Sequence, residues 1–191
     1  MDIVTIGEVL IDLTQTGKDE KGIPQFAANP GGAPANLAVA AARLGAQTAF
    51  IGKVGADAFG RYLKDVLAEN KVDVSGMAVD ADHPTTMAVV SVDAAGERDF
   101  SFYRSANADV MLCKEDIPED ALKAAKIVHF GSVSLTADFG AALSKLCREE
   151  LNALTVDKLE GILTFANKAA SITTSRHGAI PAMPTLEEIE K

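Results

Sequence analysis

Short apolar runs alternate with helix-like stretches through the first eighty residues, and that rhythm constrains the fold more than any other feature of the chain. Ile3 to Leu13 is apolar at nearly every position, interrupted by Gly7, Glu8 and Asp12, as expected of a strand buried on both faces of a parallel sheet. Asn29-Pro30-Gly31-Gly32 is turn chemistry, and it precedes an alanine-rich helical stretch from Pro34 to Leu44 that Gly45 caps. Gln47 to Val54 reads as a second strand, Asp57 to Asn70 as a helix with Asp57 at its N-cap, and Met77 to Asp80 as a short third strand. Such a series predicts a parallel sheet with helices on both faces.

The rhythm then breaks. Thr85 to Val92 and Arg98 to Tyr103 are β-rich runs joined by a glycine-containing loop, which predicts a hairpin. With the polar, glycine-containing stretch from Gln15 to Phe26, that hairpin can build a small β-structure projecting from the main sheet as a lid. Ile127 to Phe130 returns as a buried strand. Beyond it Phe139 to Leu151 and Thr155 to Ser171 read as helices, the second capped by Thr155, and His177 to Pro184 as a turn-rich tail.

Composition excludes some functions. A formal net charge of -9 opposes a phosphate backbone, so nucleic acid is not an expected partner, although a single nucleotide can be held by backbone N–H groups in an acidic protein. Cys113 and Cys147 stand far apart with no zinc or disulfide spacing, and the histidines do not pair at metal-ligand spacing. Met1-Asp2 leads straight into the first apolar run without a leader pattern, and no apolar run approaches the roughly 20 residues of a membrane span. A cytoplasmic protein without a membrane partner is the expectation.

The densest chemical signal is Gly31-Gly32-Ala33-Pro34-Ala35-Asn36-Leu37-Ala38, followed by Gly45 and by Ile51-Gly52-Lys53-Val54-Gly55. Paired glycines let a ligand approach the backbone, the following helix aims its first N–H groups at it, and Asn36 adds an amide. Taken alone, the glycines fit a tight strand-to-helix turn without a ligand equally well. A dinucleotide site is disfavoured, because no G-x-G-x-x-G follows the first strand.

The spacing from Gly31 to Gly55 resembles the first signature of the PfkB (ribokinase-like) carbohydrate kinases. Gly7 to Asp12, Gly96-Glu97-Arg98 and Phe102 to Asp109 are similar to the fructokinase branch, so the likeness covers almost all of residues 1–135. It implies a ribokinase-like three-layer α/β/α fold with a small β lid over about 13–28 and 84–104, here with an incomplete sheet. It also implies that Asp12, Gly31, Gly32 and Asn36 bind a fructose-like sugar, and that Arg98, Phe100, Phe102 and Arg104 close over it. The family's chemistry adds ATP, Mg2+ and K+, and pairing of lids suggests a homodimer.

Residues 136–191 resemble the nucleotide-side end of the same domain. There the likeness puts Asn167 and Gly178 at the nucleotide, and the backbone carbonyls of Thr173, Arg176 and Gly178 around a monovalent cation. The family's Gly-Ala-Gly-Asp motif, which supplies the anion hole and the base for phosphoryl transfer, occurs nowhere in the sequence. The chain therefore reads as a family member with an internal deletion near Thr136 to Phe139, where Asp138 is either a remnant of the base or part of the upstream segment. Sugar phosphorylation is the implied activity, absent or nearly so in this chain, and a non-catalytic sugar-binding or dimerising remnant is the alternative.

Overall fold

In the computed structural model of the chain, which describes residues 1–92, 98–131, 168, 172, 175–176 and 179–190, the first apolar run is cut in two. Strand β1 (Ile3–Ile6) ends at Gly7, whose φ of 143° lies where other residues are strained, and the chain turns through Glu8 and Val9 into β2 (Leu10–Lys18). The expected single strand from Ile3 to Leu13 is thus two strands in two different sheets. A mostly apolar run does not register such a break, because the residues on both sides of Gly7 are buried.

β2 pairs antiparallel with β3 (Pro24–Gly31), and Asn29, Pro30 and Gly31 lie extended opposite Asp12, Ile11 and Leu10 rather than forming the expected turn. Proline is tolerated there because β3 is the outer strand of its sheet, where a missing N–H costs no ladder bond. Only Gly32 turns the chain, at φ 106°, into helix α1 (Ala33–Arg43), whose Pro34 occupies the first turn.

β4 (Thr48–Gly55) runs parallel to β1, and β5 (Met77–Asp80) runs parallel to β4. Between them lies α2 (Ala58–Glu69), where Phe59, Leu63, Val66 and Leu67 recur at helical spacing and pack into the core, with Leu63 and Leu67 fully buried. Asp57 caps this helix as expected, accepting from the Gly60 N–H at 2.7 Å.

The expected hairpin is β6 (Met87–Val92) and β7 (Arg98–Tyr103), paired antiparallel. With β2 and β3 it forms a four-stranded sheet in the order β3-β2-β6-β7. After a short helix α3 (Glu119–Lys123), β8 (Ile127–Phe130) joins β1 and completes a parallel sheet in the order β5-β4-β1-β8. Within the turn-rich stretch lies a 3-10 turn at Ile180–Ala182, and a helix α4 (Leu186–Glu190) follows beyond it.

Strand alternation builds the layers. Phe50 and Val54 of β4 point toward α1 and α2 in one core cluster, while Ala49 and Ile51 join Val4 and Ile6 in another with Leu112, Ile117, Ala121 and Leu122. The parallel sheet is therefore covered on both faces, as expected. Ile180 is buried in the first cluster, and Arg43 at the end of α1 donates to the Met183 carbonyl at 2.5 Å, which fastens residues 179–190 to this side.

Candidate sugar-binding site

The parallel strands set the address. Glu8 follows the carboxyl end of β1, Gly131 follows that of β8, and Gly55 ends β4, so the loops that carry functional groups cluster at one end of the sheet. This is where open α/β sheets bind ligands. The second sheet rises from the same end, because β2 leaves directly from Val9 and the Thr85 hydroxyl at the foot of β6 accepts from the Gly55 N–H at 3.0 Å.

Gly31 and Gly32 bring α1 into this end for two different reasons. A Cβ on Gly32 would lie 2.5 Å from the Glu8 carbonyl oxygen and 3.0 Å from the Val9 Cα, so the helix start packs on the β1–β2 crossover backbone. At Gly31 the obstacle is a side chain: the Asp12 carboxylate fills the space a Cβ would need. Beyond them Pro34 approaches Gly131, where an added Cβ would sit 3.0 Å from the Pro34 ring and 3.3 Å from the Glu8 Oε2.

Asp12 is half-buried, and burial pushes its carboxyl above the usual carboxylate range. No cation pairs with it among the described residues. One turn into α1, the Asn36 N–H donates to the Gly32 carbonyl at 2.8 Å, which starts the helix, while its side-chain Oδ1 is buried without a hydrogen-bond partner. Leaving such an acceptor unmade costs about 1–3 kcal/mol, which a ligand hydroxyl would relieve. Among the described residues the other buried oxygen of this kind, Thr48 Oγ1, lies at the start of β4, at the opposite end of the sheet.

Register supplies the rest of the wall. Asn29, Asp12, Ala88 and Phe102 form one cross-strand row, and Ala27, Thr14, Val90 and Phe100 the next, so the two phenylalanines share a sheet face with Asp12. Their rings stack with centroids 6.3 Å apart and are half or more exposed. Asn29 was not among the expected site residues, although it is the direct neighbour of Asp12 and its Nδ2 donates to the Thr14 hydroxyl at 3.2 Å. Reading Asn29 to Gly32 as a turn concealed that pairing.

The structure thus brings Asp12, Gly31 and Gly32 together, sets Asn36 one helical turn further on, and puts Phe100 and Phe102 on the face of Asp12. Arg98 pairs with Val92 at the start of β7. Arg104 closes the hairpin and is held by Asp109, with Nε 2.7 Å from the carboxylate. Arg176, expected to offer a carbonyl to a cation, has its guanidinium 2.6 Å from Glu188. Asp138, Asn167, Thr173 and Gly178 lie outside the described residues, as do the helices expected over 139–151 and 155–171, Lys168 apart. Cys113 is exposed and free, no cluster of His, Cys, Asp and Glu suits a metal ion, and no helix is long and apolar enough to cross a membrane, all among the described residues.

A layered parallel sheet with acceptors gathered at its carboxyl end and a small second sheet beside them defines an α/β fold. Residues 1–156 match the pfkB family carbohydrate kinases, and the chain belongs to that family. It is 43% identical to a probable fructokinase-7 of Arabidopsis thaliana over 164 residues, 84% of this chain and 46% of that one. Against a probable fructokinase-4 of the same plant it is 37% identical over 192 residues, 99% of this chain and 54% of the relative. The fructokinase crystal structure from Xylella fastidiosa superposes with a TM-score of 0.70 at 40% identity, over 75% of this chain and 44% of that one. A sugar kinase from Pyrococcus horikoshii in complex with ATP gives 0.66 at 39% identity, over 73% and 46%. The ribokinase-like fold expected from the sequence is borne out, and the chain spans about half the length of the curated relatives it matches.

Proposed function

We propose that the chain carries the sugar-recognition side of an ATP-dependent carbohydrate kinase, with a fructose-like sugar as ligand. The observation that carries this reading is the uncompensated set of acceptors at one place: the desolvated, cation-free carboxylate of Asp12 over Gly31, and the orphaned Oδ1 of Asn36 one turn into the adjoining helix. A polyol answers such a site by donating several hydroxyls, and the apolar faces of Phe100 and Phe102 shield those bonds from water. The fructokinase relatives support the choice of sugar, and a relative solved with ATP supports the choice of phosphoryl donor. Magnesium would neutralise the transferring phosphates, and a monovalent cation would order the nucleotide side.

In this chain we expect phosphoryl transfer to be lost and sugar binding to persist in weakened form. Without Gly-Ala-Gly-Asp, neither an anion hole nor a placed base is available, and removing one such donor set alone costs about 3–4 kcal/mol of transition-state stabilisation. A coupled assay of ADP release with D-fructose and Mg-ATP tests this. Turnover at the background rate is expected, and ordinary kinase turnover of about 1–100 s⁻¹ would overturn it.

A dimerising remnant is the second reading. β7 is the outer strand of its sheet among the described residues, and Phe102 and Tyr103 on it are 63% and 59% exposed. Exposed aromatics on an edge strand favour pairing with a second copy. Light scattering of a Phe102→Ser, Tyr103→Ser double variant decides it: loss of a dimer supports pairing through the lid, and an unchanged mass contradicts it.

A further inference from the structure

The foot of the β6–β7 hairpin is held by two carboxylates acting on two consecutive threonines. Asp57 takes Thr85: its Oδ2 accepts from the Thr85 N–H at 2.8 Å and its Oδ1 from the Thr85 hydroxyl at 2.8 Å. Asp109 takes Thr86, whose hydroxyl donates to Oδ1, and Arg104, whose Nε donates to Oδ2 at 2.7 Å. The first carboxylate ties the hairpin to α2 and β4. The second ties the entry of β6 to the exit of β7.

The Asp109 side chain is 1% exposed, so its charge is removed from water and needs a partner, which Arg104 supplies. The form of that partnership is informative. A purely structural arginine–carboxylate pair is best served by a two-pronged contact using a terminal amino group as well. Here only Nε is engaged, and both terminal amino groups of Arg104 make no hydrogen bond among the described residues, while the side chain keeps 15% exposure. The clamp also stands beside the candidate site, because the Thr86 carbonyl accepts from the N–H of Ile11, the residue before Asp12, at 3.0 Å.

We propose that Asp109 is a positioning residue for ligand recognition: it fixes Arg104 through Nε and so presents the two free amino groups of the guanidinium as donors to the ligand that Asp12 binds. This rests on the sugar reading of the site and assigns a role to a residue outside the signature. Asp12 and Asn36 offer acceptors, and Arg104 adds the donor side that a sugar hydroxyl or ring oxygen also requires.

A double-mutant cycle on D-fructose binding, read by calorimetry, tests it with Asp109→Asn, Arg104→Ala and the two combined. Asp109→Asn weakens binding about fivefold or more when Arg104 is present and less than about twofold in the Arg104→Ala background. An equal loss in both backgrounds, or no loss in either, overturns the proposal. Should Asp109→Asn fail to fold, Arg104→Lys, which keeps the charge but has no Nε–H, must show the same loss. Proton exchange of the Arg104 Nε–H in the sugar-free protein separates this inference from the sugar reading. If the unaltered chain binds no fructose, the sugar reading fails. The positioning claim then stands only if that proton exchanges slowly in the unaltered chain and fast in Asp109→Asn, and equal exchange sinks it.

Discussion

The Asp12 carboxylate occupies the space that a side chain at Gly31 would need. Gly31→Ala must therefore push aside the end of a flexible side chain, leaving the backbone where it is. Sugar affinity should fall about tenfold or more while unfolding stability changes by no more than about 1 kcal/mol. Gly32→Ala meets backbone at 2.5 Å with φ at 106°, and should cost about 2 kcal/mol or more of stability. Urea unfolding alongside fructose titration separates the two. Equal destabilisation by both would remove the distinction between a site glycine and a fold glycine.

Burial raises the carboxyl of Asp12. The folded state then holds a proton that the unfolded chain releases, so stability falls as pH rises from the ordinary carboxylate value of about 4 through the raised one, and the charged form keeps that cost at neutral pH. Asp12→Asn should melt no lower than the unaltered chain at pH 7, with a rise of about 2 °C, and should flatten that part of the pH–stability curve. It should also weaken fructose binding, by no more than Asp12→Ala does. A clearly lower melting temperature at pH 7 would mean that the charge is compensated within the fold.

Asp57 serves two structures at once, capping α2 through the Gly60 N–H and holding Thr85 through its N–H and hydroxyl. Asp57→Ala loses the cap, about 1 kcal/mol, and orphans the Thr85 donors for about 1–3 kcal/mol more. The expected fall in melting temperature is about 5–10 °C. A fall no larger than that of an exposed N-cap change would place Thr85 outside the capping network.

Hydrogen bonding from Arg176, followed by the Thr185 N–H, holds the Glu188 carboxyl at about 2. Its contribution is therefore present above the ordinary carboxylate range and is lost as pH falls toward that value. Residues 179–190 should resist protease at pH 4 and become cleavable near pH 2, and Glu188→Gln should be cleaved faster at pH 4. Equal cleavage of both proteins would mean that burial of Ile180, Ala182 and Ile189 anchors the segment unaided.

Local chemistry was legible wherever one residue decides it. Asp57 reads as an N-cap because its acceptor can reach an N–H three residues on, and the helix it opens lies within the expected Asp57 to Asn70. The parallel sheet followed from the strand-helix rhythm, and the hairpin from its glycine loop. What stayed hidden depends on long-range pairing. Gly7 sends two halves of one apolar run into different sheets, and Asn29 to Gly31 look like a turn until they are laid against Asp12. Asp109 belongs to a stretch legible as family-like, but its contacts do not show in sequence because Thr86 and Arg104 meet it only through the folded hairpin. Asp12 and Asn36 were legible through the likeness to the family, while the orphaned acceptor at Asn36 required the structure.

The central claim is that this chain keeps a working sugar site built on Asp12. Calorimetric titration of D-fructose into the unaltered chain and into Asp12→Ala tests it most directly. Saturable heat with a Kd of about 1 mM, near −4 kcal/mol, weakened about tenfold or more by Asp12→Ala, is the predicted result. Absence of binding by the unaltered chain, or equal binding by both, would contradict it.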